Sequence, residues 1–268
     1  MSSTNNFKEL KILSIGNSFS MDTMQHLPDI ARDLGINHIR LGNLYIGGCS
    51  TNRHYANAQH DAAAYRYYTS DGSPWTEVTD FRISDAVKSE TWDWISIQHG
   101  TGDGSSYTKP ESYENLPALV EYVRSIASPD TRIAFNMAWV MESYSTHREI
   151  CSYQGDQMKM YENLTAVTST TVRNVKGLDR IVPSGTAIQN ARKTCLCNKL
   201  SRDGFHLSYG IGRYIASLTF LKTLTGIDIG KVRWTPTDVT EEDRQIAIRA
   251  AEQAVLSPFA ISELGANF

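Results

Sequence analysis

The chain reads as one α/β domain built on a mainly parallel sheet, and three observations predict it. Short apolar runs alternate with amphipathic segments along most of its length. Several of those runs end in glycine-rich loops, as strands do at the site-bearing edge of such sheets. No repeat, low-complexity stretch or linker divides the chain. Five apolar runs predict five strands, joined right-handedly through helices.

The first strand, Lys11–Ile15, is mostly apolar, as a strand buried on both faces must be, and stops at Gly16-Asn17. Gln25–Leu34 has helical spacing through Leu27, Ile30, Ala31 and Leu34, with Pro28 early and Gly35 as a stop. His38–Ile46 alternates as a strand and ends at Gly47-Gly48-Cys49-Ser50. Asn52–Ala64 reads as a polar, alanine-rich helix. Within Tyr65–Phe81, two β-like runs flank Ser70-Asp71-Gly72-Ser73, which predicts a hairpin inserted beside the main sheet. Ile83–Lys88 is a short helix, and Trp92–Gln98 is a strand closed by His99-Gly100-Thr101-Gly102-Asp103-Gly104. Glu114–Ile126 is an amphipathic helix, Arg132–Val140 a strand and Gln157–Val175 a long helix. Arg180–Pro183 is a last short strand. Helices at Gly185–Arg192, Tyr209–Leu224 and Glu241–Leu256 close the chain, with a loop at Asp203–Ser208.

A single domain spanning 1–268 can bury about three quarters of its unfolded surface, so no disulfide framework or metal is needed. Hydrophobic residues make up 41%, charged residues 21%, and the net charge is -3. That balance gives no reason to expect nucleic acid or an anionic membrane as partner. No run of about 18 apolar residues predicts a transmembrane helix. Met1–Asn6 is polar and reads as no signal peptide; a secreted protein without its leader would look the same, so localisation stays open. Cys195-Leu196-Cys197 has no second Cys/His pair nearby and makes a poor zinc site. Cys151 could bridge to either cysteine in an oxidising compartment, while Cys49 stands apart.

Two stretches carry chemistry. Gly16-Asn17-Ser18 delivers a serine to the C-terminal end of the first strand, although all three residues also favour plain turns. Asp203-Gly204-Phe205-His206 sets a carboxylate three residues from an imidazole, just before a helix. A serine hydroxyl needs a base to take its proton, and histidine titrates in the right range. A nearby carboxylate fixes the imidazole tautomer. Either stretch alone is weak; together they make Ser18, His206 and Asp203 a candidate nucleophile, general base and orienting acid.

In these two blocks the sequence resembles the SGNH (GDSL-like) hydrolases, in particular the bacterial subgroup whose first block reads Gly-Asn-Ser. The resemblance runs from Lys11 to about Thr225. It implies a flavodoxin-like, three-layer α/β/α sandwich and a serine esterase that forms an acyl-enzyme on Ser18. It also implies an oxyanion hole from the amide of Ser18, a glycine amide after the second strand, and a side-chain amide after the third. Gly48 matches the glycine, with Gly47 the neighbouring alternative. The usual Gly-x-Asn-Asp is absent after Ile97; Gln98 is the expected third donor, and His99 competes for the role. Asn17 stands where many relatives carry aspartate. Asn17, His99 and Trp139 are expected to meet substrate, with core packing the alternative for Trp139. The resemblance implies no metal and no organic cofactor.

The expected substrate is a small-molecule or glycan ester, with a carbohydrate acetyl esterase the first reading. A thioesterase or lysophospholipase, or a non-catalytic sugar-binding module on the same fold, is the alternative. The oligomeric state is not legible.

Overall fold

Leu10 and Ile12 face one side of the first strand, Leu13 and Ile15 the other, and all four are buried. A strand covered on both faces needs helices above and below it. The computed structural model, which describes residues 9–72, 74–197 and 199–265, has that arrangement. The Met1–Asn6 segment and Ser73 of the predicted hairpin turn lie outside the described residues.

The strands are β1 (Glu9–Gly16), β2 (His38–Tyr45), β3 (Tyr65–Ser70), β4 (Thr76–Phe81), β5 (Trp94–Ile97), β6 (Arg132–Asn136) and β7 (Arg180–Val182). They form one sheet in the order β4-β3-β2-β1-β5-β6-β7. The five strands β2-β1-β5-β6-β7 are mutually parallel, which is the flavodoxin-like order with its topological switch beside β1. The sheet therefore has seven strands, not the five expected. The two extra strands are those of the hairpin, which joins the sheet instead of lying beside it. β3 pairs antiparallel with β2 from Leu41↔Ser70 to Tyr45↔Arg66, and β4 pairs with β3. An edge strand offers unpaired N–H and C=O groups, and the hairpin satisfies those of β2.

The helices are α1 (Ser18–Met24), α2 (Leu27–Asp33), α3 (Thr51–Gln59), α4 (Ile83–Lys88), α5 (Leu116–Ile126), α6 (Arg148–Cys151), α7 (Gln157–Thr170), α8 (Ser184–Arg192), α9 (Ile211–Thr225) and α10 (Glu241–Leu256). Helices α1, α2 and α8–α10 cover one face around Phe19, Met24, Ile188, Tyr214 and Ile246. Helices α3–α5 cover the other around Ala58, Val87, Leu119 and Val123.

The largest local surprise is α1. The sequence shows no helix before Gln25, but one begins at Ser18, with a single residue between it and β1. Asn17 caps the helix: its Oδ1 accepts the Phe19 amide at 2.9 Å, while Ser20 Oγ accepts the Asn17 amide at 3.0 Å. This reciprocal pair satisfies amides that would otherwise be unpaired at a helix start. Strand β6 stops at Asn136, though the buried Met137–Val140 run continues its apolar pattern. All four cysteines are free; Cys49 is buried and the other three exposed. Among the described residues no helix is long and apolar enough to cross a membrane.

Candidate active site

Ser18 follows β1 with one intervening residue, so the sheet itself fixes where its hydroxyl lies. Ser20 folds back over Gly16, and a Cβ at Gly16 would stand 2.6 Å from Ser20 Oγ. Only glycine permits so tight a strand-to-helix turn. Asn17 ties this turn to the next loop, its Nδ2 donating to Cys49 O at 3.2 Å. Both ends of its amide bond backbone groups, so the side chain braces the turn while it also borders the cavity.

The second half of the site is a tight loop closed by a bridge between Ser201 and Leu207. Asp203 Oδ1 accepts the amides of Phe205 (3.1 Å) and His206 (2.7 Å), which shapes the loop. Its Oδ2 lies 2.6 Å from His206 Nδ1. His206 Nε2 lies 2.8 Å from Ser18 Oγ, across 188 positions of sequence. An ionised carboxylate can only accept, so Nδ1 carries the hydrogen and Nε2 is left to accept from the serine hydroxyl. Partial burial alone would raise the Asp203 carboxyl, but hydrogen bonds from the His206 ring and the two amides outweigh it. They hold the group below the ordinary aspartate value, and it stays ionised at neutral pH. Such a chain can draw the proton from a serine as it attacks an electrophilic carbon.

Ser18 and His206 open onto a cavity of about 260 Å³. Its wall includes Asn17, Gly48, Gly100, Thr101 and Gly102, and the aromatic side of it holds Phe19, Tyr45, Tyr107, His147 and Phe205. Gly48 has φ +62° and packs so closely on Gly102 that a Cβ there would lie 3.0 Å from the Gly102 Cα. Gly102 donates to Gly48 O at 2.7 Å. Among the described residues, no protein acceptor takes the amide hydrogens of Ser18 or Gly48. Both remain able to donate to a developing oxyanion. Larger clefts of about 390 and 450 Å³ lie elsewhere, around Arg173 and Phe259 and around Glu9 and His38; neither holds a serine with a hydrogen-bonded base.

Three expected site residues are not on the cavity wall. Gln98 is fully buried, its Cβ next to Gly16, and among the described residues nothing pairs with its amide. It follows the last paired residue of β5, Ile97, and does not line the cavity. His99 is 1% exposed and packs on Tyr113, with ring centroids 4.6 Å apart. Its Nδ1 accepts from the Thr51 amide at 3.2 Å, and burial pushes its pKa down to about 3. Trp139 is 2% exposed, stacks on Phe19 at 4.3 Å and donates Nε1–H to Phe205 O at 2.7 Å. It is tied to the histidine loop through Phe205 and does not line the cavity.

Of the three stretches that the sequence places around the site by their position near strand ends, Gly100–Tyr107 supplies Gly100, Thr101, Gly102 and Tyr107 to the wall and Trp139–His147 supplies His147, while Tyr65–Trp75 supplies none. A pattern for the first three of these residues existed: Gly100-Thr101-Gly102-Asp103 keeps the spacing of Gly-x-Asn-Asp, with glycine for asparagine. Gly48 leaves no room there for a side chain, since a Cβ on Gly102 would lie 2.9 Å from Gly48 O.

No curated protein matches the chain in sequence. An acetylxylan esterase from Geobacillus stearothermophilus, solved as a catalytic mutant, superposes with a TM-score of 0.53. It shares 16% identity over 84% of this chain and 97% of its own, a likeness that shows the fold alone. A crystal structure from Bacteroides uniformis ATCC 8492 is much more similar, with a TM-score of 0.89 and 34% identity over 95% of this chain and 98% of that one. That protein carries the domain of unknown function DUF4886, and the profile of the same domain matches residues 11–254 here. The chain belongs to the DUF4886 family.

Proposed function

We propose that the protein is a serine ester hydrolase of the SGNH type that removes a small acyl group, acetyl first among them, from a carbohydrate. The observation that carries this reading is the unbroken chain Asp203–His206–Ser18, at 2.6 and 2.8 Å, opening onto the cavity. Ser18 Oγ attacks the ester carbonyl carbon while its proton passes to His206 Nε2. The tetrahedral oxyanion is met by the amides of Ser18 and Gly48. Collapse breaks the bond to the alcohol, whose oxygen takes the proton back from His206. Water then repeats the cycle on the acyl-enzyme and releases the acid.

The cavity's size supports a short acyl group. Small-molecule sites commonly occupy about 300–1,000 Å³, and a cavity of about 260 Å³ suits a small acyl group. The fold is shared with an acetylxylan esterase, which agrees with this reading without carrying it. The test is twofold. A fluorophosphonate should label the parent chain and not Ser18→Ala. Aryl esters of increasing acyl length should lose kcat/KM steeply beyond a few carbons. Labelling that survives in Ser18→Ala would overturn the nucleophile, and a flat chain-length profile would overturn the acyl-size reading.

A further inference from the structure

His147 caps α6 with its ring: Nδ1 accepts the Glu149 amide at 3.2 Å. A backbone amide can only donate, so Nδ1 carries a lone pair and the single hydrogen of a neutral ring sits on Nε2. The ring is neutral at pH 7, because burial, then the charge of Arg148, then His206 push its pKa down. Among the described residues Nε2 bonds no protein group, while the ring itself lines the cavity. His147 lies 5.3 Å from the Phe205 ring, and Phe205 lies 4.1 Å from His206.

This order along the wall has a chemical meaning if Ser18 and His206 act as proposed above, on which the inference rests. His206 Nε2 must return its proton to the leaving oxygen, so the alcohol half of the ester lies along His206. Beyond it come Phe205 and then His147. We propose that the Nε2–H of His147 donates to a hydroxyl or ring oxygen of the leaving alcohol and so selects esters of polyhydroxylated alcohols. Phe205 offers the apolar ring face that a sugar's C–H groups pack against. His147 is thus a specificity residue for the alcohol half, separate from the base His206.

Two isosteric variants separate this role from capping. In His147→Asn the side-chain oxygen takes the place of Nδ1 and keeps the cap, but nothing reaches where Nε2 was. In His147→Gln an amide N–H₂ stands near the Nε2 position. The readout is the ratio of kcat/KM for a methyl glycoside monoacetate to that for 4-nitrophenyl acetate, whose leaving group has no hydroxyl. The expected result is a ratio about five- to tenfold lower in His147→Asn, the worth of one hydrogen bond, with partial recovery in His147→Gln. An unchanged ratio in His147→Asn, or an equal fall in both variants, overturns the donor role. If neither ester is hydrolysed in a Ser18-dependent way by the parent chain, the esterase reading itself fails and takes this inference with it.

Discussion

The carboxylate of Asp22 accepts the amide of Leu207 at 2.9 Å, across 185 positions of sequence. Asp22 lies one helical turn beyond Ser18 on α1, and Leu207 directly follows His206. The carboxylate is wholly buried and is also held by Arg202 at 3.0 Å and Arg213 at 2.7 Å. Arg202 in turn donates to Leu207 O. One carboxylate therefore sets the distance between the serine helix and the histidine loop. Removing its charge takes the carboxylate partner from both guanidinium groups, a loss of about 3–5 kcal/mol for a buried pair. The lower end applies here, because both arginines keep some access to water. Asp22→Asn should lower the unfolding midpoint and reduce kcat by about 10²-fold, the cost of a misplaced base, with KM little altered. An activity loss seen only in KM would show that Asp22 does not register the two halves.

Asp203 is the other carboxylate of the site, and its side chain is 38% exposed. Its contribution is therefore orientation of the imidazole more than a strong buried charge. Asp203→Asn should lower kcat by about 10²–10⁴-fold at constant acyl-chain preference. Because hydrogen bonds depress its folded pKa, its share of stability is present above the ordinary aspartate range, near pH 4. That share is lost as the pH falls through the lower folded value. Thermal unfolding of the parent and Asp203→Asn should therefore differ at pH 6 and converge in strong acid.

The parts of the site visible in the sequence are those whose chemistry is local. Asp203 and His206 sit three residues apart and Ser18 follows a strand end, and it was the pairing of these two short blocks that brought them into view. Asp22 did not stand out, because a lone carboxylate in a stretch read as loop looks solvated until Arg202 and Arg213 close on it. Gln98 misled for a related reason. Its residue type suits an oxyanion donor, but the face it presents depends on the register of β5 against β1, which no local pattern encodes. The five parallel strands were legible from apolar runs, whereas the pairing of β3 with β2 is a long-range choice that a period-two pattern leaves open.

Gln98→Ala tests that register directly. A working oxyanion donor is worth about 10²–10³ in kcat. With its amide buried and off the cavity wall, Gln98→Ala should change kcat by less than about tenfold and show its effect in stability instead. A kcat loss at the full donor value, with unfolding unchanged, would return Gln98 to the oxyanion hole.

Trp139 separates bracing from binding. Trp139→Ala removes a buried indole and should destabilise the fold by about 3–5 kcal/mol. Trp139→Phe keeps the stack on Phe19 but loses the bond to Phe205 O, which is worth about 1 kcal/mol. In Trp139→Phe the KM for small esters should hold while the unfolding midpoint drops slightly. A rise in KM with no stability change would make Trp139 a substrate contact.

His54 and His99 set the acid limit of the fold. Both are buried, and burial pushes each pKa down to about 3, so the folded protein keeps them neutral. Unfolded histidine takes up a proton near pH 6.5. Above that value neither state is protonated and the pair contributes nothing to the pH dependence. Below it the unfolded chain binds two more protons than the folded one, so stability falls with falling pH until the folded values are reached. Between pH 7 and 5.5, before most carboxylates titrate, the loss should be about 1 kcal/mol for each histidine. His99→Asn retains an acceptor for the Thr51 amide while removing the titrating ring. Urea unfolding of His99→Asn across this window should lose about 1 kcal/mol less stability than the parent. The same slope in parent and variant would mean that His99 is not held neutral in the folded state.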